Sequence, residues 1–170
     1  MSYSPSLRLV AFLVALASIA SSAMLAAAAD GHTRSAAASD TSTIRATVTL
    51  KKTGLGAILV DARGRTLYLF LKDRNHKSQC TGSCATYWPP LLNTGKPSAG
   101  AGVRTSLLGL TTRQGGSHQV TYAGHPLYVF VADTKPGQTN GEGSINFGAA
   151  WYVIGANGRA VKAAPAGVGG

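Results

Sequence analysis

The chain contains the same ten-residue pattern twice, and this repeat constrains its fold more than any other feature of the sequence. Residues 64–73 (GRTLYLFLKD) align with residues 124–133 (GHPLYVFVAD), with identical Gly, Leu, Tyr, Phe and Asp at five positions. Each copy follows a predicted strand and a turn. The repeat therefore predicts one domain that is built from two pseudo-repeats.

Both copies of the pattern read as strands that are apolar on two faces. Side chains alternate between the faces of a strand, so the aliphatic residues share one face and the aromatic residues share the other. The aromatic residues are Tyr68 and Phe70 in the first copy and Tyr128 and Phe130 in the second. A strand that is apolar on both faces is typical of a buried layer. Burial of the four rings is the favoured prediction, and an aromatic platform that lines a groove is the alternative.

Short β segments separated by glycine-containing turns extend over the rest of the domain. Residues 57–60 and 66–71 are predicted to pair as a hairpin, and a last hairpin turns at Asn157-Gly158. No amphipathic helix is predicted beyond one turn near the cysteines. The predicted fold is all-β: a small antiparallel domain of β-hairpins in two pseudo-repeats. The predicted strands are residues 44–50, 57–60, 66–71, 107–112, 119–122, 127–131, 151–154 and 159–162.

The N-terminal segment has the layout of a secretory signal peptide. Arg8 precedes an apolar run at residues 9–19, and small residues up to Ala29 supply cleavage sites. An uncleaved anchor is the alternative. The sequence predicts an exported protein, periplasmic or secreted, with no transmembrane span after cleavage. Its predicted parts are a signal peptide (1–29), a flexible linker (30–43), a secreted β domain (44–165) and a flexible tail (166–170).

The chain carries a large excess of positive charge. Lys and Arg number 16 against 6 Asp and Glu, which gives a formal net charge of +10. This balance favours anionic partners such as cell-envelope components, although solubility is the simpler interpretation. The basic residues are scattered, without a run of five, and this pattern argues against nucleic-acid binding. The identity of the partner stays open.

Cys80 and Cys84 are the two cysteines of the chain. In an exported protein an even number of cysteines predicts a disulfide. The alternative is a soft-metal site, because one helical turn would place His76, Cys80 and Cys84 on one face. A labile redox pair is a weaker interpretation, since the spacing is not Cys-x-x-Cys. No metal and no cofactor are predicted in the favoured interpretation.

Asp73 and Asp133 close the two motif copies, and turn-prone residues follow each of them, so both are predicted to make turns. The alternative brings the two carboxylates, or two Tyr–Asp pairs, together at one site, and a hydrolase would use paired carboxylates. His118 and His125 flank one predicted hairpin and could meet across it. The segment at Trp88 continues as Pro-Pro, which cannot join a central ladder, and is predicted to form a packed corner.

The two motif copies, Tyr68-x-Phe70-x-x-Asp73 and Tyr128-x-Phe130-x-x-Asp133, flank a cysteine segment that ends in Trp-Pro-Pro. This arrangement resembles a bacterial family of secreted repeats and predicted lipoproteins with the Yx(F/W/Y)xxD motif. The resemblance covers about residues 54–160. It implies an exported protein of unknown function and supplies no catalytic residues. Because no modifiable cysteine follows the predicted signal, a freely soluble form is expected rather than a lipid-anchored one.

These observations favour a non-enzymatic function. The expected role is that of an exported, envelope-associated binding or structural module. The alternative is a periplasmic metal-binding or redox accessory protein that uses the Cys-x3-Cys segment, and a hydrolase built on the paired Asp residues ranks last.

Overall fold

The computed structural model describes residues 45–162. The predicted signal peptide, the linker and the C-terminal tail lie outside the described residues, as do the ends of the predicted β domain. Within the described part of the chain, no helix has the length and apolar character that a membrane span requires.

The described chain consists of short strands with a single short α-helix, and the all-β prediction is confirmed. The predicted helical turn near the cysteines is the α-helix α1, and a 3-10 turn precedes the fifth strand. In chain order the elements are β1 (Thr47–Thr53), β2 (Gly56–Asp61), β3 (Tyr68–Phe70), α1 (Ser83–Tyr87), β4 (Ser98–Ala99), the 3-10 turn (Thr105–Leu107), β5 (Leu108–Thr112), β6 (His118–Tyr122), β7 (His125–Pro126), β8 (Ile145–Asn146), β9 (Ala149–Ile154) and β10 (Ala160–Val161).

The strands form small sheets. In one of them β1 lies between β2 and β4, in another β6 lies between β5 and β7, and in a third β9 lies between β10 and β3 and also pairs with β8. The pairs are antiparallel except for the short parallel contact between β1 and β4. The last predicted hairpin is confirmed as β9 and β10, which pair antiparallel.

The predicted hairpin of residues 57–60 and 66–71 is present only as a corner. Its two segments meet at one bridge, between Val60 and Thr66. Beyond that bridge β2 pairs with β1 and β3 pairs with β9. The predicted strand 127–131 is also not a continuous ladder, because Tyr128 makes bridges to two different segments. The segment 66–71 therefore takes β9, which is distant in the chain, as its partner, whereas β2 forms a hairpin with the neighbouring β1. Leu127 keeps a local bond, from its N–H to the Val120 carbonyl at 2.9 Å.

Each pseudo-repeat completes the backbone hydrogen bonding of the other. In one direction β3 of the first repeat pairs with β9 of the second. In the other, residues 89–92 of the first repeat bond to the second motif copy, and the Leu91 N–H donates to the Leu127 carbonyl at 2.9 Å. The motif copies themselves meet where Tyr68 and Tyr128 exchange N–H···O bonds of 2.9 and 3.1 Å. The two repeats are therefore interlocked rather than placed side by side.

The two faces of each motif strand pack into different parts of the core, as the alternation predicts. The aliphatic residues Leu67, Leu69, Leu127 and Val129 lie in one apolar cluster, and the aromatic residues lie in a second. The last aliphatic residue of each copy is an exception, since Leu71 and Val131 are 47% and 49% exposed. Both follow the point where the chain leaves the core for a turn.

Candidate functional site

The tyrosine of each motif copy is bonded to the aspartate of the other copy. The Tyr68 hydroxyl donates to Oδ2 of Asp133 at 2.6 Å, and the Tyr128 hydroxyl donates to Oδ2 of Asp73 at 2.9 Å. The motif residues thus form two crossed Tyr–Asp pairs, which join the repeats at their side chains as well as at their backbones.

The same carboxylates also order the turns that follow them. Oδ1 of Asp73 accepts the backbone N–H of Gln79 at 2.8 Å, and Oδ1 of Asp133 accepts that of Asn140 at 2.9 Å. Each aspartate therefore closes its own loop with one oxygen and holds the other repeat with the second. The turn role and the Tyr–Asp pairing, which were alternatives at the level of sequence, are combined in one side chain.

Burial alters the titration of all four groups. Desolvation raises the pKa of Asp73 to about 6, against the lowering effect of its bonds from Gln79 and Tyr128. Desolvation also raises the pKa of Asp133, although the Tyr68 hydroxyl lowers it. The pKa of each tyrosine hydroxyl is raised by burial and by the neighbouring carboxylate. The phenols are thus firmly protonated donors, and the carboxylates are weakly acidic acceptors.

The raised pKa of Asp73 should make the domain less stable as pH rises from about 4 to about 7. The folded state binds more protons than the unfolded state in this window, because the folded pKa of about 6 exceeds the model value of 3.8. This contribution is complete below the unfolded pKa and is lost as pH rises through the folded pKa. The full difference between 3.8 and about 6 corresponds to about 3 kcal/mol, and because solvent reaches this half-buried carboxyl we expect about 1–2 kcal/mol in the free energy of unfolding.

Urea unfolding across that pH range, on the native chain and on Asp73→Asn, measures this contribution as the difference between their pH slopes. Using the difference removes the general effect of the positive net charge. The native chain should lose more stability with rising pH than Asp73→Asn does. Equal slopes would contradict the assignment.

Four aromatic rings form a continuous stack through the core. Phe70 stacks on Trp151 with ring centroids 3.9 Å apart, Trp151 on Trp88 at 4.0 Å, and Trp88 on Phe130 at 4.2 Å. The interplanar angles of these three pairs are 8°, 3° and 20°, in the same order. Each Phe lies on the Trp of the other repeat, so the stack is reciprocal in the same way as the Tyr–Asp pairs.

The two motif tyrosines pack edge-on against this stack. Tyr68 lies 5.2 Å from Trp88 and Tyr128 lies 5.1 Å from Trp151, both in T-shaped geometry. Tyr68, Phe70 and Tyr128 are buried, so burial is confirmed for these rings and the aromatic platform is wrong for them. Trp88 is also buried, as the packed-corner prediction requires.

One end of the stack opens into a surface cleft of about 250 Å³, which we call the aromatic cleft. Phe130 is half-buried there, while Tyr87 and Phe147 are 56% and 37% exposed. The rings of Tyr87 and Phe147 lie 6.1 Å apart. Lys72 lies beside the turn that carries Phe147, because its Nζ donates to the Phe147 carbonyl at 3.1 Å. The lining residues are Tyr87, Trp88, Phe130, Asn146 and Phe147.

Phe147 occupies a backbone position that does not suit an aromatic residue. It and Gly148 form the two-residue turn between β8 and β9, with φ values of 56° and 90°. Positive φ at both positions marks a type I′ turn, which favours Asn-Gly. A bulky residue at positive φ costs about 1–3 kcal/mol, and such strain is concentrated at functional sites. Motif-based reasoning missed Phe147 and Tyr87, although the Phe-Gly pair was a visible signal.

The predicted disulfide is confirmed, and it leaves the proposed soft-metal site without its thiolate ligands. Cys80 and Cys84 are bonded, with their Cα atoms 5.2 Å apart, and both lie in the aromatic part of the core. The helix begins only at Ser83, and the Nδ1 atom of His76 instead lies 3.0 Å from the Gly124 carbonyl. The set His76, Cys80 and Cys84 therefore has no free thiolate. Over residues 45–162, no group of three or more His, Cys, Asp and Glu could hold a metal ion.

His118 and His125 do not meet as the sequence suggested, because His118 begins β6 whereas His125 lies in β7, opposite the last residue of β6. His118 is opposite Thr112, whereas His125 is opposite Tyr122. Instead, His125 shares a pocket of about 270 Å³ with His76. Burial, and secondarily the charge of His76, lowers the pKa of His125.

A sequence profile of a family described as a secreted repeat of unknown function matches residues 49–92 and 109–154. The chain belongs to this secreted-repeat family. Each matched segment contains one motif copy and ends with the part that hydrogen-bonds to the other repeat. That part is residues 89–92 in the first match and β9 in the second. No curated protein and no solved structure is significantly similar to the chain. The family description supports an exported protein, and it leaves the biochemical function unknown.

The carboxylates of this secreted repeat are turned inward. The Asp73 and Asp133 carboxylates hold the Tyr–Asp pairs, and Asp61 accepts two backbone N–H groups as well as an ion pair of 2.7 Å from Arg65. Glu142 accepts the Val153 N–H at 2.7 Å. These four are the acidic residues between positions 45 and 162, a range that also holds every Lys and Arg of the chain except Arg8 and Arg34. The outward charge of this part of the secreted repeat is therefore mainly positive.

Proposed function

We propose that this secreted repeat is an exported, non-enzymatic binding module, acting in the periplasm or outside the cell, that binds an anionic polysaccharide of the cell envelope. The observation that carries the proposal is the aromatic cleft. Its exposed rings, Tyr87 and Phe147, line the cleft together with Trp88 of the buried stack, and Lys72 is bonded to the Phe147 carbonyl.

The cleft suits a ring-shaped ligand. The apolar face of a sugar ring packs on an aromatic ring in the way that other apolar surfaces do, and aromatic residues lose little conformational entropy when they are held in place. Trp88 forms the floor and is fixed by stacking on Trp151 and Phe130. The turn at Phe147 supports the same interpretation, because an aromatic residue is kept at a positive-φ position that favours Asn or Gly.

The charge distribution of the surface favours a negatively charged ligand. The described residues carry many more Lys and Arg than Asp and Glu, and the carboxylates are engaged in internal hydrogen bonds, so the surface has an excess of positive charge that attracts polyanions. Lys72 places one positive charge beside the cleft itself. Binding is proposed rather than catalysis because Asp73 and Asp133 each already hold a tyrosine hydroxyl and a backbone N–H.

Substitution of the two exposed rings should weaken polysaccharide binding. The probe is an oligomer of uronic acid, and its neutral methyl ester serves as the comparison ligand. Calorimetric titration of the variant Tyr87→Ala/Phe147→Ala should show affinity reduced by about tenfold or more, as expected for aromatic anchors. Leu110→Ala is the matched control, because Leu110 is similarly exposed, at 40%, and does not line the cleft.

Lys72→Gln should reduce the affinity for the acidic oligomer and leave that for the ester unchanged, whereas Lys96→Gln should change neither. The proposal fails if the ester binds as tightly as the acid, or if Leu110→Ala weakens binding as much as the double variant.

A further inference from the structure

We propose that the aromatic core is a one-electron relay, in which an oxidising equivalent received at the cleft passes to the two tryptophans and comes to rest on Tyr68 or Tyr128 as the phenolic proton moves to the paired aspartate. This activity concerns the interior of the domain and does not depend on polysaccharide binding.

The rings form an unbroken path between the surface and the tyrosines. Tyr87 is exposed in the cleft, and the next residue in the chain, Trp88, forms the cleft floor. From Trp88 the path reaches Trp151 at 4.0 Å and Tyr68 at 5.2 Å, and from Trp151 it reaches Tyr128 at 5.1 Å, all between ring centroids. From Trp88 inward, each step joins rings in direct contact, so no step within the core crosses an aliphatic gap.

Both tyrosines already have a proton acceptor in place. The Tyr68 hydroxyl donates to Asp133 and the Tyr128 hydroxyl donates to Asp73. A phenol that loses an electron becomes a strong acid, so its proton passes along the existing bond to the carboxylate. Proton transfer of this kind needs an acceptor within about 2.6–3.2 Å of the donor, and both pairs meet that distance.

The chemical balance is complete with an external one-electron oxidant, of the class of small inorganic radicals. The radical gains one electron and becomes its anion, and an indole loses that electron. The indole radical then takes an electron from a tyrosine. The products are the anion, a neutral tyrosyl radical and a protonated aspartate. A one-electron reductant such as ascorbate reverses the last step, and the aspartate returns its proton to the phenolate oxygen.

A comparison within the same fold shows that a buried tyrosine does not require a carboxylate. The Tyr122 ring is fully buried, and its hydroxyl donates to the Ala156 carbonyl at 2.9 Å and accepts from the Arg104 N–H. Backbone groups thus satisfy that hydroxyl without the desolvation of an anion. Tyr68 and Tyr128 instead use aspartates whose pKa values are raised by burial. The outer rings of the stack, Phe70 and Phe130, resist oxidation and confine the charge to the inner rings.

Pulse radiolysis of the domain with azide radicals tests the relay, because the tryptophan and tyrosyl radicals have separate absorption bands. The indole signal should appear first and should decay as the tyrosyl signal grows. In Tyr68→Phe/Tyr128→Phe the growth should be lost and the indole signal should persist. Tyr122→Phe is the matched control and should behave as the native chain does. Circular dichroism of each variant establishes that it is folded.

The proton step is tested separately. Asp73→Asn/Asp133→Asn should slow formation of the tyrosyl radical by about a hundredfold, the effect typical of a lost proton acceptor. Transfer in the native domain should also be slower in deuterated water. The relay is overturned if the indole signal decays without tyrosyl growth, if the double Tyr→Phe variant retains that growth, or if the Asp→Asn pair leaves the rate unchanged.

Discussion

A chain cut between its two repeats is expected to give two fragments that do not fold alone and that fold when they are mixed. The cut is placed at Ala101-Gly102, in an exposed loop after β4, so that both motif copies stay intact. The physical reason is the exchange of strands. The first fragment contains β3 without β9, and the second contains its motif copy without residues 89–92.

The missing partners would leave buried groups unsatisfied in both fragments. Tyr68 and Tyr128 would each lose two backbone hydrogen bonds and a carboxylate partner, and each Trp would lose the stacked Trp of the other repeat. An unpaired buried polar group costs about 1–3 kcal/mol, so several of them exceed what a fragment of this size can offset.

Amide proton spectra of each fragment measure this directly. Narrow dispersion for the separate fragments and wide dispersion for their mixture are the expected results. The intact chain cut at the same bond after folding serves as the control, since it should remain folded. Wide dispersion from either fragment as a monomer would mean that the repeats are independent domains and that the strand exchange is incidental.

Trp151→Ala is expected to destabilise the intact domain by about 3–5 kcal/mol, the cost of removing a fully buried large aromatic side chain. Trp151 contacts Phe70 and Trp88 in the stack and Tyr128 at its edge. The substitution would therefore leave a cavity at the centre of the contact between the two repeats. A small domain has a total stability of about 5–15 kcal/mol, and this loss is therefore a large part of it.

Chemical unfolding of Trp151→Ala, followed by circular dichroism, gives the change in the free energy of unfolding. Phe147→Ala is the control, because it removes an aromatic ring that is only partly buried and keeps a non-glycine residue at the positive-φ position. Its effect should stay within about 1 kcal/mol. If Trp151→Ala cost no more than this control, the stack would not be what holds the repeats together.

Asp73 and Asp133 show which contacts could be predicted from the sequence and which could not. Local patterns suggested that these residues make turns, and the structure shows that they do. The crossed bonds to Tyr68 and Tyr128 join residues that are far apart in the chain, and no spacing rule contains such information. The same limit applies to the predicted hairpin of residues 57–60 and 66–71, because β3 pairs with the distant β9 while β2 pairs with the neighbouring β1.

The aromatic cleft is a second feature that local sequence patterns could not predict. Phe130 belongs to the repeat motif, and alternation along the strand correctly assigned it to the aromatic face. Tyr87 and Phe147 come from α1 and from the turn between β8 and β9, which no local pattern links. The centroids of the two rings lie 6.1 Å apart because the exchange of strands between the repeats brings these two elements together.

The sequence by itself determined the all-β class, the two pseudo-repeats, the two apolar faces of the motif strand and the Cys80–Cys84 bond. These features depend on period-two alternation, on turn residues and on cysteines close in the chain, which are local properties. Only the tertiary structure decided that each tyrosine pairs with the other repeat's aspartate and that Trp88 and Trp151 stack at the centre. Those contacts follow from the exchange of strands between repeats, and many nearly identical apolar segments could have paired in other ways until packing and buried hydrogen bonds selected one arrangement.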